Sequence, residues 1–488
     1  MKEQRVQRQA IRGHVLSVAS ECVPLLKTGG LADVVGALPG ALAARCWDMR
    51  VLMPAYRGLA AQLDGAEEVW TGKALFGGPA MVLKGRVDEM EVMLLSAPHL
   101  YDRDGGPYGK AGADYPDNAE RFAALSWVAA EIARDGLGDG WRPDILHAHD
   151  WQGGLAPAYL RYGPPTKVKS VVTIHNIAFQ GLAPAAKLAA LKLPAGEFTS
   201  KGLEYYGQIS ALKAGLVTAD AITTVSPTYA EELMRPEFGM GLQGVIAARA
   251  ARVRGILNGV DTAGWDPAAD SAAVPYDAAR MAGKAENRKR LIAEFGLGDV
   301  PGPLAIVVSR LTGQKGVDLI PEVLEDFVAL GGGLVVLGTG DAALEAAMRA
   351  AAERFPGRVG VKIGYDEALS HRMFAGADAV LVPSRFEPCG LTQMYGLRYG
   401  TIPVVAATGG LADTVITASP MAVATGAATG IAFHPTDALA LGQALRRLCQ
   451  LHANPETWAG LQGAAMRQPV GWESSSAAYA ALYAELLA

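Results

Sequence analysis

At 488 residues the chain is longer than one ordinary core organises, and about 100–200 residues per domain points to two or three domains. Half of the residues are hydrophobic and 19% are charged, enough apolar surface for sizeable cores, which excludes extensive disorder. A net charge of -5 gives no general basic field, and no apolar run reaches the roughly 18 residues of a membrane span, so neither nucleic acid nor a membrane is expected as a partner.

The basic start, Met1–Arg12, leads into the apolar stretch His14–Ala19. That stretch is too short for the core of a signal peptide and runs into Glu21 and Lys27, so it reads as a first buried strand behind a solvated extension. Further strands are predicted at Arg50–Pro54, Glu91–Ala97, Asp144–His149, Ser170–His175 and Ala221–Ser226. A second series follows at Leu304–Ser309, Leu334–Gly338, Val359–Ile363, Ala379–Pro383 and Pro403–Ala406. Longer helical patterns lie between most of them, which is the signature of an α/β class built from two doubly wound, Rossmann-like units. The join is placed near Gly255, after a helix-like Ala247–Arg254 and before a Pro- and Ala-rich stretch to Val274. Ser474–Ala488 reads as a terminal helix whose pattern does not say which domain it packs on.

The four cysteines, Cys22, Cys46, Cys389 and Cys449, contain no C-x-x-C pair, so neither a zinc site nor a disulfide framework is suggested and a reducing cytoplasm fits. Thr28–Val35 (T-G-G-L-A-D-V-V) nearly recurs as Thr408–Val415 (T-G-G-L-A-D-T-V), with unmatched flanks. Two accounts stay open: a pair of strand-to-helix turns that use glycine for a tight bend, or a pair of anion sites at helix N-termini.

Five blocks could carry chemistry. Lys27-Thr28-Gly29-Gly30 precedes a helix expected to run to about Arg45, so backbone N–H groups, the helix dipole and the lysine could hold a phosphate. The lysine precedes the glycines, the reverse of a Walker A loop, and taken alone a plain turn with a solvated lysine is the better reading. Arg310 and Lys315 follow the first strand of the second series and are either a pyrophosphate clamp or two ordinary surface cations. Pro383–Thr392 joins a strand to a helix, and Glu387 there could accept sugar hydroxyls or stabilise positive charge at a reacting carbon, although a lone loop glutamate usually faces solvent. Cys389 reads as a small packing residue, since no neighbouring histidine would activate it.

The remaining two blocks, His147-Ala148-His149-Asp150-Trp151 and Thr173-Ile174-His175-Asn176, close parallel strands, where open α/β sheets place their sites. His147 and His149 should share a face, but no acidic or cysteine partner completes a metal set, so His175 is expected to hydrogen-bond and the other two to be structural. Asp102-Arg103-Asp104 is formally a D-x-D metal motif, but its turn-rich setting makes a surface loop the better reading.

In this order and spacing, K-T-G-G-L-A-D-V (Lys27–Val34), Y-D-R (Tyr101–Arg103), D-Y-P-D-N (Asp114–Asn118), H-A-H-D-W, T-I-H-N, I-L-N-G-V-D (Ile256–Asp261), S-R-L-T-G-Q-K-G, S-R-F-E-P-C-G-L-T-Q and T-G-G-L-A-D-T-V resemble the bacterial glycogen synthase and plant starch synthase family, glycosyltransferase family 5. The likeness runs from about His14 to Tyr483. It implies a GT-B fold of two Rossmann-like domains facing across a deep cleft. Residues 1–254 would form the glucan acceptor side, joined by the terminal helix 470–488, and 255–469 the sugar-nucleotide side. The implied reaction is retaining transfer of glucose from ADP-glucose to the non-reducing end of an α-1,4-glucan, with no metal or other cofactor.

By the same resemblance, Lys27, Gly29, Gly30, Arg310 and Lys315 would hold the diphosphate, and Thr392 would lie near its distal phosphate. Glu387 and the N–H groups of Cys389, Gly390 and Leu391 would hold the glucosyl hydroxyls, Asp150 and His175 would line the sugar pocket, and Tyr365 would lie beside the adenine. Glu21, Asp33, Asn176 and Asn258 correspond to positions around the reacting sugar or acceptor. The sequence departs from the family in its N-terminal extension and in Gln152-Gly153, where many relatives have His-Ala. It sets no oligomeric state.

Overall fold

The structure, a computed structural model, describes residues 10–488, so most of the basic extension read at Met1–Arg12 lies outside the described residues. Packing divides the chain into two compact units. The first runs to Val225 and adds Ala230–Ile256 and Trp472–Ala488; the second comprises Leu257–Gly471 and the short piece Ser226–Tyr229.

The first unit is built on a nine-stranded sheet. Its strands are β1 (Gly13–Val18), β2 (Trp47–Pro54), β3 (Asp64–Leu75), β4 (Gly78–Val87), β5 (Met90–Ser96), β6 (Ile145–His149), β7 (Lys169–Ile174), β8 (Ala221–Thr224) and β9 (Val253–Gly255), in the order β9-β8-β7-β6-β1-β2-β5-β4-β3. From β9 to β5 the pairing is parallel, and only β4 and β3 run antiparallel to their neighbours. The central strands are short apolar runs because helices cover both faces. The chain leaves β1 towards β2 on one side and later returns to β6 on the other, so the carboxyl ends of β1 and β6 form a switch point, where such sheets bind ligands.

Two parts of this sheet differ from the sequence reading. The β3–β4 hairpin was not foreseen, because β3 is almost wholly exposed and polar and so has no apolar run to betray it. It is an edge made unattractive to further strands by charge: Lys84 pairs with Glu67 at 2.7 Å and Asp139 at 2.8 Å. The helix read over Ala247–Arg254 is also corrected. The helix there is Gln243–Ala247, and after a single tight turn Val253–Gly255 is captured as β9 by the free edge of β8, in the register Ile222↔Val253. Edge hydrogen bonding outweighs the helical preference of an Ala- and Arg-rich run.

Helix α1 (Gly30–Ala43) follows β1 and stops two residues short of the expected end. The terminal helix, Trp472–Leu487, belongs to the first unit: Tyr479, Leu482 and Tyr483 are buried against Val15, Leu38, Leu42, Trp47 and Ile145. Its Tyr483 hydroxyl also reaches His147 Nδ1 at 2.7 Å.

The second unit has a six-stranded, wholly parallel sheet. Its strands are β10 (Leu304–Val308), β11 (Gly333–Gly338), β12 (Val359–Ile363), β13 (Ala379–Val382), β14 (Ile402–Ala406) and β15 (Ile431–Phe433), ordered β12-β11-β10-β13-β14-β15. Here the switch point lies between β10 and β13. Ile306, Val335, Val380, Val405 and Phe374 form its core. Only β15, three residues long, escaped the sequence reading.

Candidate functional site

In the first unit three polar residues emerge from the ends of adjacent parallel strands: Glu21 just beyond β1, Asp150 beyond β6 and His175 beyond β7. Glu21 is 3% exposed. One of its oxygens accepts the Thr28 amide, and the other accepts the Thr28 hydroxyl at 2.6 Å and the Tyr108 hydroxyl. The glutamate therefore clamps the turn in which Thr28 stands. Tyr108, which also lies 2.8 Å from Ser20 Oγ, was missed by the sequence reading because it comes from a distant turn-rich segment with no local sign of a partner.

Asp150 occupies a left-handed backbone conformation (φ 50°), unusual for a residue with a side chain. Its Oδ1 accepts the amides of His175 at 2.7 Å and Asn176 at 3.3 Å, which fixes the carboxylate over the end of β7. Burial raises its carboxyl to about 7, against the pull of those two amides. Asn176 folds its own side chain back, Oδ1 accepting the Ala178 amide at 3.0 Å.

The three histidines form two neutral chains. His149 Nδ1 lies 2.9 Å from His175 Nε2, and its Nε2 lies 3.1 Å from Ser17 Oγ. His147 joins Tyr483 to Thr173. Burial pushes His147 and His175 down to about 3 and His149 well below its usual value, so all three are uncharged near neutrality. His147 and His149 do share a face, with ring centroids 4.3 Å apart, but their nitrogens are engaged as described and no cluster among the described residues is spaced to hold a metal ion. Asp102 and Asp104 of the D-x-D are exposed and both pair with Arg57.

The turn before α1 is open. Lys27, Thr28, Gly29 and Gly30 are exposed, a Cβ on either glycine would meet nothing within 4 Å, and Lys27 pairs with Asp33 of the first helical turn at 2.8 Å. Open space beside both glycines at a helix N-terminus is a setting that suits an anion.

The second copy of that octapeptide is its opposite. A Cβ on Gly409 (φ 44°) would lie 2.0 Å from the Glu387 carbonyl oxygen, and one on Gly410 2.2 Å from that of Cys389. These glycines exist so that one backbone can press against another. The reading of a paired anion site is therefore corrected: the Thr408–Gly410 turn is closed against the Glu387–Cys389 loop.

That loop joins β13 to a helix, α2 (Thr392–Tyr399). Glu387, 6% exposed, does not face open solvent as a lone loop glutamate would; its Oε2 accepts Lys315 Nζ at 2.5 Å and Ser384 Oγ at 2.9 Å. Arg310, beyond β10, is exposed and makes no ion pair among the described residues. The amides of Cys389 and Gly390 have no acceptor among the described residues, and Leu391 and Thr392 open α2. Burial pushes the Cys389 thiol up to about 12, so it stays protonated and packs, as its sequence context suggested. Asn258 is buried in the same unit, its Oδ1 without a partner among the described residues. Tyr365 stands 79% exposed after β12, its hydroxyl 2.9 Å from a Glu367 oxygen.

Residues 14–248 match the starch synthase catalytic domain and residues 292–459 the glycosyl transferases group 1, which defines the class: a two-domain α/β glycosyltransferase. The chain is 68% identical to a glycogen synthase of Cereibacter sphaeroides (strain ATCC 17023), covering 98% of this chain and all of that one. It is 57% identical to the glycogen synthase of Paracoccus denitrificans over 97% of this chain and 99% of that one. Among solved structures it resembles the catalytic domain of starch synthase IV from Arabidopsis thaliana, bound to ADP and acarbose, with a TM-score of 0.87, 31% identity and coverage of 97% and 99%. The chain belongs to the glycogen and starch synthase family.

Proposed function

We propose that this chain is a glycogen synthase that transfers glucose from ADP-glucose to the non-reducing end of an α-1,4-glucan with retention at the anomeric carbon, releasing ADP. The observation that carries the reading is the Glu387 loop: a buried carboxylate held by Lys315 beside backbone amides with no acceptor among the described residues. Such a loop suits a glucosyl group, with amides for its hydroxyls and a fixed negative charge for the positive charge that grows at its anomeric carbon.

Arg310 and Lys315 offset the charge developing on the leaving diphosphate, and Thr392 at the start of α2 offers its amide to the distal phosphate. Lys27 with the open Gly29-Gly30 turn is a further diphosphate contact, and Tyr365 presents an exposed ring for the adenine. Asp150 and His175 serve the sugar hydroxyls; Glu21, Asp33, Asn176 and Asn258 serve the reacting sugar or the acceptor.

In the reaction the bond from the anomeric carbon to the phosphate oxygen breaks, and the bond to the acceptor's 4-hydroxyl oxygen forms on the same face. The departing phosphate takes the acceptor's proton. Glu387 is held on one oxygen by two donors, a posture suited to stabilising charge rather than to forming a covalent intermediate. No metal is required, and the chain works in the cytoplasm, where its free cysteines stay reduced. No helix among the described residues is long and apolar enough to cross a membrane.

The test is release of ADP or UDP from ADP-glucose or UDP-glucose, with and without glycogen, in the presence of a chelator. Glycogen-dependent ADP release that survives chelation is the expected result. Release of UDP alone overturns the donor, and silence with both donors overturns the activity.

A further inference from the structure

The Glu387–Gly390 turn has every carbonyl tied back into the second unit. The Gly410 amide donates to Glu387 O and Pro388 O, each at 3.2 Å, and the Ser226 hydroxyl donates to Pro388 O at 2.6 Å. Cys389 O and Gly390 O both accept from Nε2 of Gln393, at 3.1 and 2.9 Å. In a planar trans peptide the N–H points opposite to the C=O of the preceding residue. Holding the carbonyls of Pro388, Cys389 and Gly390 inward therefore turns the amides of Cys389, Gly390 and Leu391 outward, the three that the function assigns to the glucosyl hydroxyls.

Gln393 holds two of those three carbonyls and is wholly buried. Both carbonyls can only accept, so the nitrogen end of its amide faces the turn, and the Thr414 hydroxyl agrees with that orientation. That hydroxyl donates to Gly410 O at 2.6 Å, so towards Gln393, 3.1 Å away, it can only accept, and the nitrogen must be there. Thr414 and Gly410 both belong to the second copy of the repeated octapeptide, Thr408–Val415, which the proposed reaction leaves without a role.

We infer that Gln393, supported by Thr414, is the positioning residue that aims the amides of Cys389, Gly390 and Leu391 at the donor sugar. The inference rests on the proposed role of that turn. Gln393→Glu keeps the side chain's shape but sets a carboxylate among three acceptor oxygens. Thr414→Val keeps the volume and removes the supporting hydroxyl, so it serves if Gln393→Glu does not fold.

The full-length proteins are compared in kcat and KM for ADP-glucose, in ADP affinity, and in the penalty for donors lacking the glucosyl 3- or 4-hydroxyl. For Gln393→Glu the expected result is a fall of about 10–100-fold in kcat with ADP affinity within about threefold, Thr414→Val showing a smaller fall of the same kind. The deoxy-donor penalty should shrink in both, because amides that no longer point at a hydroxyl lose nothing when it is absent. A purely structural role would lower stability and leave that penalty whole; an unshrunken penalty, unchanged kcat, or ADP affinity falling in step with kcat overturns the inference. A parent protein silent with ADP-glucose overturns the reading of the site itself, whereas an active parent with unaffected variants overturns only the role of Gln393.

Discussion

Glu387→Gln removes one negative charge while keeping the shape of the side chain. In the parent, Oε2 of Glu387 is shared between the Lys315 ammonium at 2.5 Å and the Ser384 hydroxyl at 2.9 Å. The amide oxygen of glutamine can still take the Ser384 hydrogen bond, but Lys315 loses its counter-charge. Breaking a fully buried pair costs about 3–5 kcal/mol; here the lysine side chain keeps 19% exposure and can rehydrate, so about 1–2 kcal/mol of stability is expected to go. The catalytic loss should be larger, because a preorganised charge acts most strongly where charge develops in the transition state. A single such group is worth about 10²–10³-fold in kcat. ADP affinity should move little, and towards tighter binding, since Lys315 no longer divides its charge between Glu387 and the phosphates. The assay pairs initial rates of ADP release at saturating ADP-glucose and glycogen with calorimetric titration of ADP. Weaker ADP binding by more than about tenfold with normal turnover would refute the assignment, because Glu387 would then serve nucleotide binding and not glucosyl transfer.

Gly29→Ala should leave the thermal midpoint unchanged, since a Cβ there meets nothing, whereas Gly409→Ala should cost more than about 3 kcal/mol or abolish soluble expression, because its Cβ would strike the Glu387 carbonyl at a left-handed backbone position. Equal midpoints for the two variants would contradict the closed packing of the second turn. Asp150 has a folded pKa of about 7 against 3.8 for the free side chain, so the folded state binds the proton more tightly and this group's contribution to stability is present below pH 4 and is lost as pH rises to 7. Asp150→Asn should remove that slope, leaving the variant more stable than the parent at pH 8, with a limiting difference on the order of 4 kcal/mol; denaturant midpoints at pH 5 and 8 check it, and an unaltered slope would show that the carboxyl is not held in a dry site. His147→Phe deprives the Tyr483 hydroxyl of its partner and should cost about 1–3 kcal/mol, with earlier proteolysis of the terminal helix than in the parent; a helix cleaved no faster would mean that apolar packing alone holds it.

The blocks that carry the site were legible because each sits where a parallel strand gives way to a turn. His147–Trp151 and Thr173–Asn176 end β6 and β7, and Pro383–Thr392 joins β13 to α2. Short apolar runs bounded by such turns are a local signal, and so were ten of the eleven strands predicted as parallel; the eleventh, Glu91–Ala97, also formed but carries the antiparallel hairpin on its far side. The β3–β4 hairpin and β9 were not legible: an exposed edge needs no apolar run, and an edge strand three residues long owes its conformation to its neighbour's free hydrogen-bonding groups. Tyr108 against Glu21 and Gln393 against Thr414 were equally hidden, being partners far apart along the chain with no pattern linking them.

The two T-G-G-L-A-D copies divide what sequence determines from what tertiary structure decides. The sequence determined that each is a glycine turn opening a helix, because only backbone freedom and a helix N-terminus are encoded locally. That Gly29 and Gly30 stay open to an anion while Gly409 and Gly410 are sealed against the Glu387–Cys389 backbone was decided by which chain segment came to rest on each turn. The same holds for Glu387. Its place in a strand-to-helix loop was readable, but its burial and its bond to Lys315, 72 residues away, exist only because β10 and β13 pair side by side and bring the loops at their ends together.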